Sequence, residues 1–242
     1  FNSINETIDL FKSLNLEFHE TLESAEIIPA KAFEVTIKHG FLKKNFFYRD
    51  YESYLLCKFV LYENKEKFQK NFYKKIKKMT KKYQDIIVAQ SIEQGKKFWK
   101  FRDDLVTCYK LEGKYITNDI SLPLNNLDNF IKIASEKINL LIPGVIFYPF
   151  GHLGDGNIHF NMILPVNFSN NFISIRRKVY DLVNNLVYKN NGSFSAEHGI
   201  GMIKKNSLKK FKSKNEIEFM KKIKISLDSK NILNPGKVLD LD

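Results

Sequence analysis

Two short apolar runs, "GVIFYPF" (144–150) and "NIHFNMILP" (157–165), flank a glycine-rich turn in this chain. Both read as strands, because aromatic and branched side chains fill them and turn residues bound them. A connection so short folds the second run back beside the first. The hairpin therefore sets antiparallel pairing inside the sheet. With strands and helices alternating elsewhere, the expected class is α+β: a mostly antiparallel sheet with helices packed on one face, rather than a doubly wound parallel sheet.

The other elements can be placed around that hairpin. "SAEIIPAKAFEVTIKHG" (24–40) predicts a short strand and then a helix, with Pro29 near its first turn and Gly40 just past its end. "YESYLLCKFVLY" and "DIIVAQ" predict strands, as does "KYITNDISLP". Phe68, Phe72, Ile76, Met79 and Tyr83 recur at helical spacing with lysines between them, which predicts an amphipathic helix whose lysines face solvent. Further helices are expected from about Ser91 to Leu111, over "LNNLDNFIKIASEKINLL", from about Phe172 to Tyr188, and over "NEIEFMKKIKISLD".

With 242 residues, 43% hydrophobic and 27% charged, the chain can bury a substantial core. No apolar run approaches the ~18 residues that span a bilayer, and no secretory signal opens the sequence. The first residue is Phe1, so the chain is expected to be part of something longer. Cys57 and Cys108 have no ligand spacing and read as small core residues in a reducing compartment, which suggests a cytoplasmic location. The net charge of +12 comes from 35 lysines and only four arginines. Phosphate and base readout favour arginine forks, so nucleic acid is not the expected partner. A peripheral contact with an anionic membrane is compatible with this charge but not required by it.

The chemistry-bearing residues gather late in the chain. His152 and His159 sit seven residues apart around "GDGN", and the hairpin could bring their imidazoles together. Alone the pair is a weak signal, since single histidines beside a loop are more often ordinary polar residues. "SAEHGIG" adds Glu197 and His198 between small residues. Two imidazoles and one carboxylate form a common ligand set for a catalytic divalent metal with open coordination positions. His152, His159 and Glu197 could be that set, suited to zinc, manganese or iron. His198 would then be a free base beside the cation. Such a site could chelate the hydroxyl and carboxylate of a 2-hydroxy acid, with a neutral histidine taking the hydroxyl proton. Neither a G-x-G-x-x-G following a strand nor a P-loop is present to bind a nucleotide cofactor.

"GHLGDGNIHFN", "SAEHGIG" and "ILNPGK", in that order, resemble the C-terminal domain of FAD-linked oxidases of the vanillyl-alcohol-oxidase type. The group includes D-lactate, glycolate and D-2-hydroxyglutarate dehydrogenases. "FWKFRDDL" and "YITNDISLPL" extend the resemblance toward the hydroxyglutarate type. It implies a ferredoxin-like cap domain over residues 1–242 and a flavin held chiefly by an N-terminal FAD-binding domain that this chain lacks. Isolated, such a domain is expected to be inactive. The resemblance assigns His152, His159 and Glu197 to the metal and His198 to the base. Arg102 and Asn161 go to the substrate, and Asn234 lies near the flavin. An electron acceptor that the sequence does not identify would reoxidise the flavin. Two positions depart from the hydroxyglutarate pattern: Thr117 replaces a lysine and Val106 a threonine, which favours a substrate with one carboxylate. A basic binding module and a metal-dependent hydrolase are the rival classes.

Overall fold

The computed structural model describes residues 1–47, 49, 51–62, 64–79, 85–169 and 171–241. The elements run α1 (Ile4–Phe18), β1 (Leu22–Pro29), α2 (Lys31–Lys38), β2 (Ser53–Phe59), α3 (Lys65–Met79), α4 (Ile92–Leu111), β3 (Tyr115–Ser121), α5 (Leu124–Leu141), β4 (Ile146–His152), β5 (Asn157–Ile163), α6 (Phe172–Lys189), α7 (Lys205–Phe211) and α8 (Lys214–Leu227). The strands form one sheet in the order β2-β1-β4-β5-β3. Every neighbouring pair in it is antiparallel.

Alternation along the strands separates the two faces. Ala25, Ile27, Ile116, Ile120, Ile158, Phe160 and Met162 point to one side, where they join the main core. Three helices cover that side. α5 contributes Leu127, Phe130, Ile131, Ala134 and Ile138, and α6 contributes Ile175, Val179, Val183 and Val187, each set at helical spacing. α1 adds Ile8 and Phe11 to this core and turns Leu10 and Leu14 toward Ile76 of α3. Phe160 is fully buried, with Phe147 stacked on it and Phe130 edge-on. The α+β class and the helical layer on one face are therefore as expected.

A smaller layer lies on the other face. α2 and α4 supply Ala32, Phe33, Val35, Phe101, Leu105 and Cys108, packed on Ile28, Tyr54, Tyr148 and Phe150. The rings of Phe33 and Phe101 stack with centroids 4.4 Å apart. Cys108 is fully buried and Cys57 half-buried, and neither forms a disulfide. Burial pushes their thiols up, to about 11 for Cys108 and about 12 for Cys57.

Ser91 caps α4, its hydroxyl accepting from Gln94 N–H at 3.1 Å. Phe68 and Ile76 of α3 are buried while Lys74, Lys77 and Lys78 face solvent. Tyr83 and the side chain of Met79 lie outside the described residues. "DIIVAQ" is not a strand: residues 85–90 have no ladder partner and run directly into the α4 cap. Ile86, Ile87 and Val88 instead line an apolar groove with Phe59, Phe68 and Phe72. Packing that such a run finds elsewhere outweighs its β-propensity. α1 and α7 were not anticipated from the sequence.

Candidate metal and substrate centre

The site occupies the part of the second face that α2 and α4 leave open. The β4–β5 hairpin pairs Gly151 with Ile158 and His152 with Asn157 around a turn at 153–156. Asp155 Oδ1 accepts Asn157 N–H at 3.0 Å and closes that turn. Gly156 has φ +69°, and a Cβ there would lie 2.1 Å from the Leu122 carbonyl oxygen. Only glycine lets the turn press so closely onto the end of β3.

Register then aligns the functional groups. His152 pairs across the sheet with Glu26 of β1, and His159 with Asp119 of β3. Their imidazole centroids are 5.6 Å apart. The segment that follows α6 reaches them because it is pinned to β3. Ser121 and Ser193 exchange backbone hydrogen bonds at 2.9 Å. Asp119 Oδ2 then accepts the N–H groups of Ala196, Glu197 and His198 at 3.2, 2.8 and 2.9 Å. "GHLGDGNIHFN" and "SAEHGIG" therefore meet, through a buried aspartate that the sequence reading did not single out.

Both histidines share one orientation. His152 Nδ1 lies 3.2 Å from Glu26 Oε1, and His159 Nδ1 lies 3.7 Å from Asp119 Oδ1. Each Nε2 faces Glu197, at 3.2 Å from Oε1 for His152 and 3.8 Å from Oε2 for His159. His198 stacks on His159 with centroids 5.9 Å apart, its Nδ1 3.9 Å from Asp119 Oδ2. Ligand atoms of Asp119, His159, Glu197 and His198 all lie within 4.8 Å of one another, a group that could hold a metal ion and that takes in His198 rather than His152 of the expected set. Asp119 is the least available of the four. Its Oδ2 already accepts three backbone N–H groups, and Oδ1 accepts from Asn157 Nδ2 at 2.9 Å.

Burial and neighbouring charges set the protonation of the site. Burial would raise the Glu26 carboxyl, but hydrogen bonds from His152 and Arg102 outweigh it and hold the group below its usual range. Burial is also offset at Asp119, where N–H donors from His198, Asn157 and Glu197 lower the carboxyl. The Glu26 hydrogen bond raises His152. His159 is lowered, because burial dominates over the Glu197 and Asp119 carboxylates. Lys204 is also lowered by burial, and its ammonium donates to Ser195 Oγ at 3.0 Å beneath the loop.

Arg102 enters from α4. Its Nε donates to Glu26 Oε2, Nη2 lies 3.4 Å from His152 Nε2, and the guanidinium rests over the Phe150 ring at 5.2 Å. The contact with adjacent Asp103 is looser, at 3.6 Å, while Asp104 pairs with Lys100. Val106 lies one helical turn beyond Arg102 and is 41% exposed. Asn161 follows His159 on the same face of β5, opposite Tyr148 and Thr117. Asn234 is exposed in the C-terminal turn at φ +51°. Its carbonyl accepts Lys237 N–H at 3.2 Å, and none of its described contacts reaches the histidines. The C-terminal segment does touch the far end of the loop, where Val238 N–H donates to Gly201 O at 2.8 Å.

Glu26 and Asp119 are the positions of the candidate site that sequence reasoning missed. Each is a carboxylate among apolar strand residues, in "SAEIIP" and "ITNDIS", and that contrast was the available signal.

Fold and site together define an α+β domain carrying a histidine–carboxylate centre and an arginine on one open face of an antiparallel sheet. The chain belongs to the family of FAD linked oxidases, C-terminal domain, whose model matches residues 1–238. It is similar to D-2-hydroxyglutarate dehydrogenase from Stutzerimonas stutzeri, at 36% identity over 64% of this chain and 33% of the relative. The mitochondrial D-2-hydroxyglutarate dehydrogenase of Arabidopsis thaliana matches at 36% identity, over 64% of this chain and 26% of that protein. A D-2-hydroxyglutarate–pyruvate transhydrogenase from Saccharomyces cerevisiae matches at 35% identity, over 59% and 29%. The matched part of the chain thus covers a third or less of the length of these curated relatives.

Proposed function

We propose that this domain is the metal- and substrate-binding part of an FAD-dependent 2-hydroxy-acid dehydrogenase, oxidising a D-2-hydroxy acid to the 2-oxo acid. One observation carries the reading: two imidazole Nε2 atoms converge on the Glu197 carboxylate while both Nδ1 atoms face buried carboxylates. That is the donor chemistry of a divalent-metal site with its supporting shell. His152, His159 and Glu197 would hold the ion, and zinc, manganese and iron all suit such ligands. The family's flavin, which an N-terminal domain of the same polypeptide would carry, would supply the acceptor for the hydride from the α-carbon.

The residues of this chain divide the remaining work. Arg102 offers its planar fork to the substrate carboxylate, and Asn161 offers an amide from the same face. His198 is the base. Its Nδ1 is turned toward Asp119, which leaves Nε2 to accept the hydroxyl proton as the carbonyl forms. Glu197 and His198 are 46% and 58% exposed, so the centre is open on the side from which substrate and flavin would approach. A cytoplasmic location, read from the spacing of Cys57 and Cys108 in the sequence, belongs to the same proposal.

Thr117 gives the centre no second cation for a distal carboxylate and Val106 no hydroxyl, which favours a substrate with one carboxylate, such as lactate or glycolate. The test is a pair of measurements. In this chain, His152→Ala and Glu197→Ala should abolish zinc binding while His198→Ala retains most of it. In the polypeptide that includes the flavin domain, His198→Ala should stop hydroxy-acid oxidation, and unchanged turnover would remove His198 as the base.

A further inference from the structure

We infer that Glu26 is a positioning residue that couples the two halves of the site, orienting His152 and Arg102 with one carboxylate. The inference rests on the proposed metal site and adds to it a group that touches neither metal nor substrate.

Glu26 lies on β1, 3% exposed, directly across the ladder from His152. Each carboxylate oxygen has its own partner: Oε1 faces His152 Nδ1, and Oε2 accepts from Arg102 Nε. A buried carboxylate accepts hydrogen bonds but cannot donate them, so Nδ1 must carry the imidazole proton. In the neutral ring Nε2 then keeps its lone pair, with Glu197 Oε1 at 3.2 Å and Arg102 Nη2 at 3.4 Å. Lone pair and carboxylate facing each other is an arrangement that a cation between them would satisfy.

The second oxygen acts on Arg102. By engaging Nε, Glu26 anchors the inner edge of the guanidinium, and the Phe150 ring supports its face. A free arginine explores many rotamers, whereas one held at Nε presents its terminal nitrogens in a fixed plane. Nη2 lies 3.4 Å from His152 Nε2, so the anchored fork borders the metal position. A 2-hydroxy acid places hydroxyl and carboxylate on adjacent carbons. One residue that fixes the metal ligand and the carboxylate fork together sets the spacing this substrate requires.

A purely structural ion pair would hold β1 to α4 without setting the tautomer of His152, and variants of Glu26 separate the two roles. In Glu26→Gln the amide oxygen can still accept from Nδ1–H, but the amide N–H₂ meets another donor at Arg102 Nε. Glu26→Ala removes both contacts. The probes are zinc alone, titrated against a chromophoric chelator, and the ¹⁵N–¹H spectrum of the metal-free chain with its imidazoles neutral. Wild type should show a single Nδ1–H tautomer for His152. Glu26→Ala should show mixed tautomers and bind zinc about 10- to 100-fold more weakly. Glu26→Gln should keep the tautomer and zinc affinity within a few-fold, while the hydrogen-bonded Hε signal of Arg102 is lost.

A folded Glu26→Ala that keeps one tautomer and wild-type zinc affinity overturns the role of Glu26 alone. Should that variant not fold, Glu26→Gln decides, because an unchanged Arg102 Hε signal overturns the coupling. A wild-type chain that binds none of zinc, manganese or iron overturns the metal site itself, and this inference with it.

Discussion

Glu197 reaches the two histidines because its backbone N–H is held by Asp119 Oδ2 at 2.8 Å. The same oxygen takes the amides on either side of Glu197, so one buried carboxylate shapes a three-residue cradle. The loop is thereby fixed to β3 at the position opposite His159. The candidate site is therefore built from the strand outward, with the exposed Glu197 carboxylate positioned by the buried Asp119.

Removing that anchor should damage stability and metal binding together. Asp119→Ala leaves three loop N–H groups and Asn157 Nδ2 without their acceptor, although the exposed loop can recover water for some of them. The expected cost is about 3 kcal/mol of stability and about a 10- to 100-fold loss of zinc affinity. Denaturant melts and a zinc titration measure the two effects. Wild-type zinc affinity in a folded Asp119→Ala would mean that the loop finds its position without Asp119.

The turn permits a contrast between two glycines. Gly156 combines φ +69° with a close approach to the Leu122 carbonyl, whereas a Cβ at Gly154 would meet nothing within 4 Å. Gly156→Ala should destabilise by at least about 2 kcal/mol, since neither backbone can yield without breaking the Leu122–Gly156 hydrogen bond. Gly154→Ala should stay within about 0.5 kcal/mol of wild type. Thermal melts of the two variants, side by side, check this. Equal behaviour would refute the close-approach argument.

The sequence revealed the hairpin and the long helices because their signals are local. "LNNLDNFIKIASEKINLL" coincides with α5, and the 3.6-residue spacing of Leu127, Phe130, Ile131, Ala134 and Ile138 is the reason. "DIIVAQ" misled because a short apolar run satisfies either a ladder or a groove, and only tertiary packing decides. His152, His159, Glu197 and His198 were legible as residue types that ligate metals and move protons. Glu26 and Asp119 were not, since their roles depend on cross-strand register and on loop amides distant in sequence. Arg102 lies beside Asp103 and Asp104 in the sequence, yet its main partner is Glu26 on β1.

α8 yields a prediction about acid. None of its residues is buried, so its first turn relies on the reciprocal cap in which Ser213 accepts from Glu216 N–H and Glu216 accepts from Ser213 N–H. Lys212 and the Ser213 donors draw the Glu216 carboxyl from 4.5 down to about 2. A carboxyl lowered in the folded state contributes stability that is complete above its unfolded value and lost as pH falls toward the folded one. Amide protection in the first turn of α8, relative to the unfolded chain at the same pH, should therefore fall between about pH 4.5 and pH 2. In Ser213→Ala much of that pH dependence should vanish. An acid response unchanged by this substitution would assign it to another group.

Substrate choice supplies the last prediction. Thr117 sits on β3 opposite Asn161 and two residues before Asp119, so alternation turns it to the face that carries His159. A long cation there would extend over the same open surface that Arg102 borders from α4. The relatives named as acting on D-2-hydroxyglutarate concern a substrate with a second carboxylate, which such a cation could pair. In the polypeptide that includes the flavin domain, Thr117→Lys should raise kcat/KM for D-2-hydroxyglutarate relative to D-lactate by about tenfold, equivalent to ~1.4 kcal/mol. The gain should fall largely on KM, because a distal carboxylate is bound equally in ground and transition states. Steady-state kinetics on both substrates decide the matter. A ratio unmoved by Thr117→Lys would place the distal carboxylate elsewhere and remove position 117 from specificity.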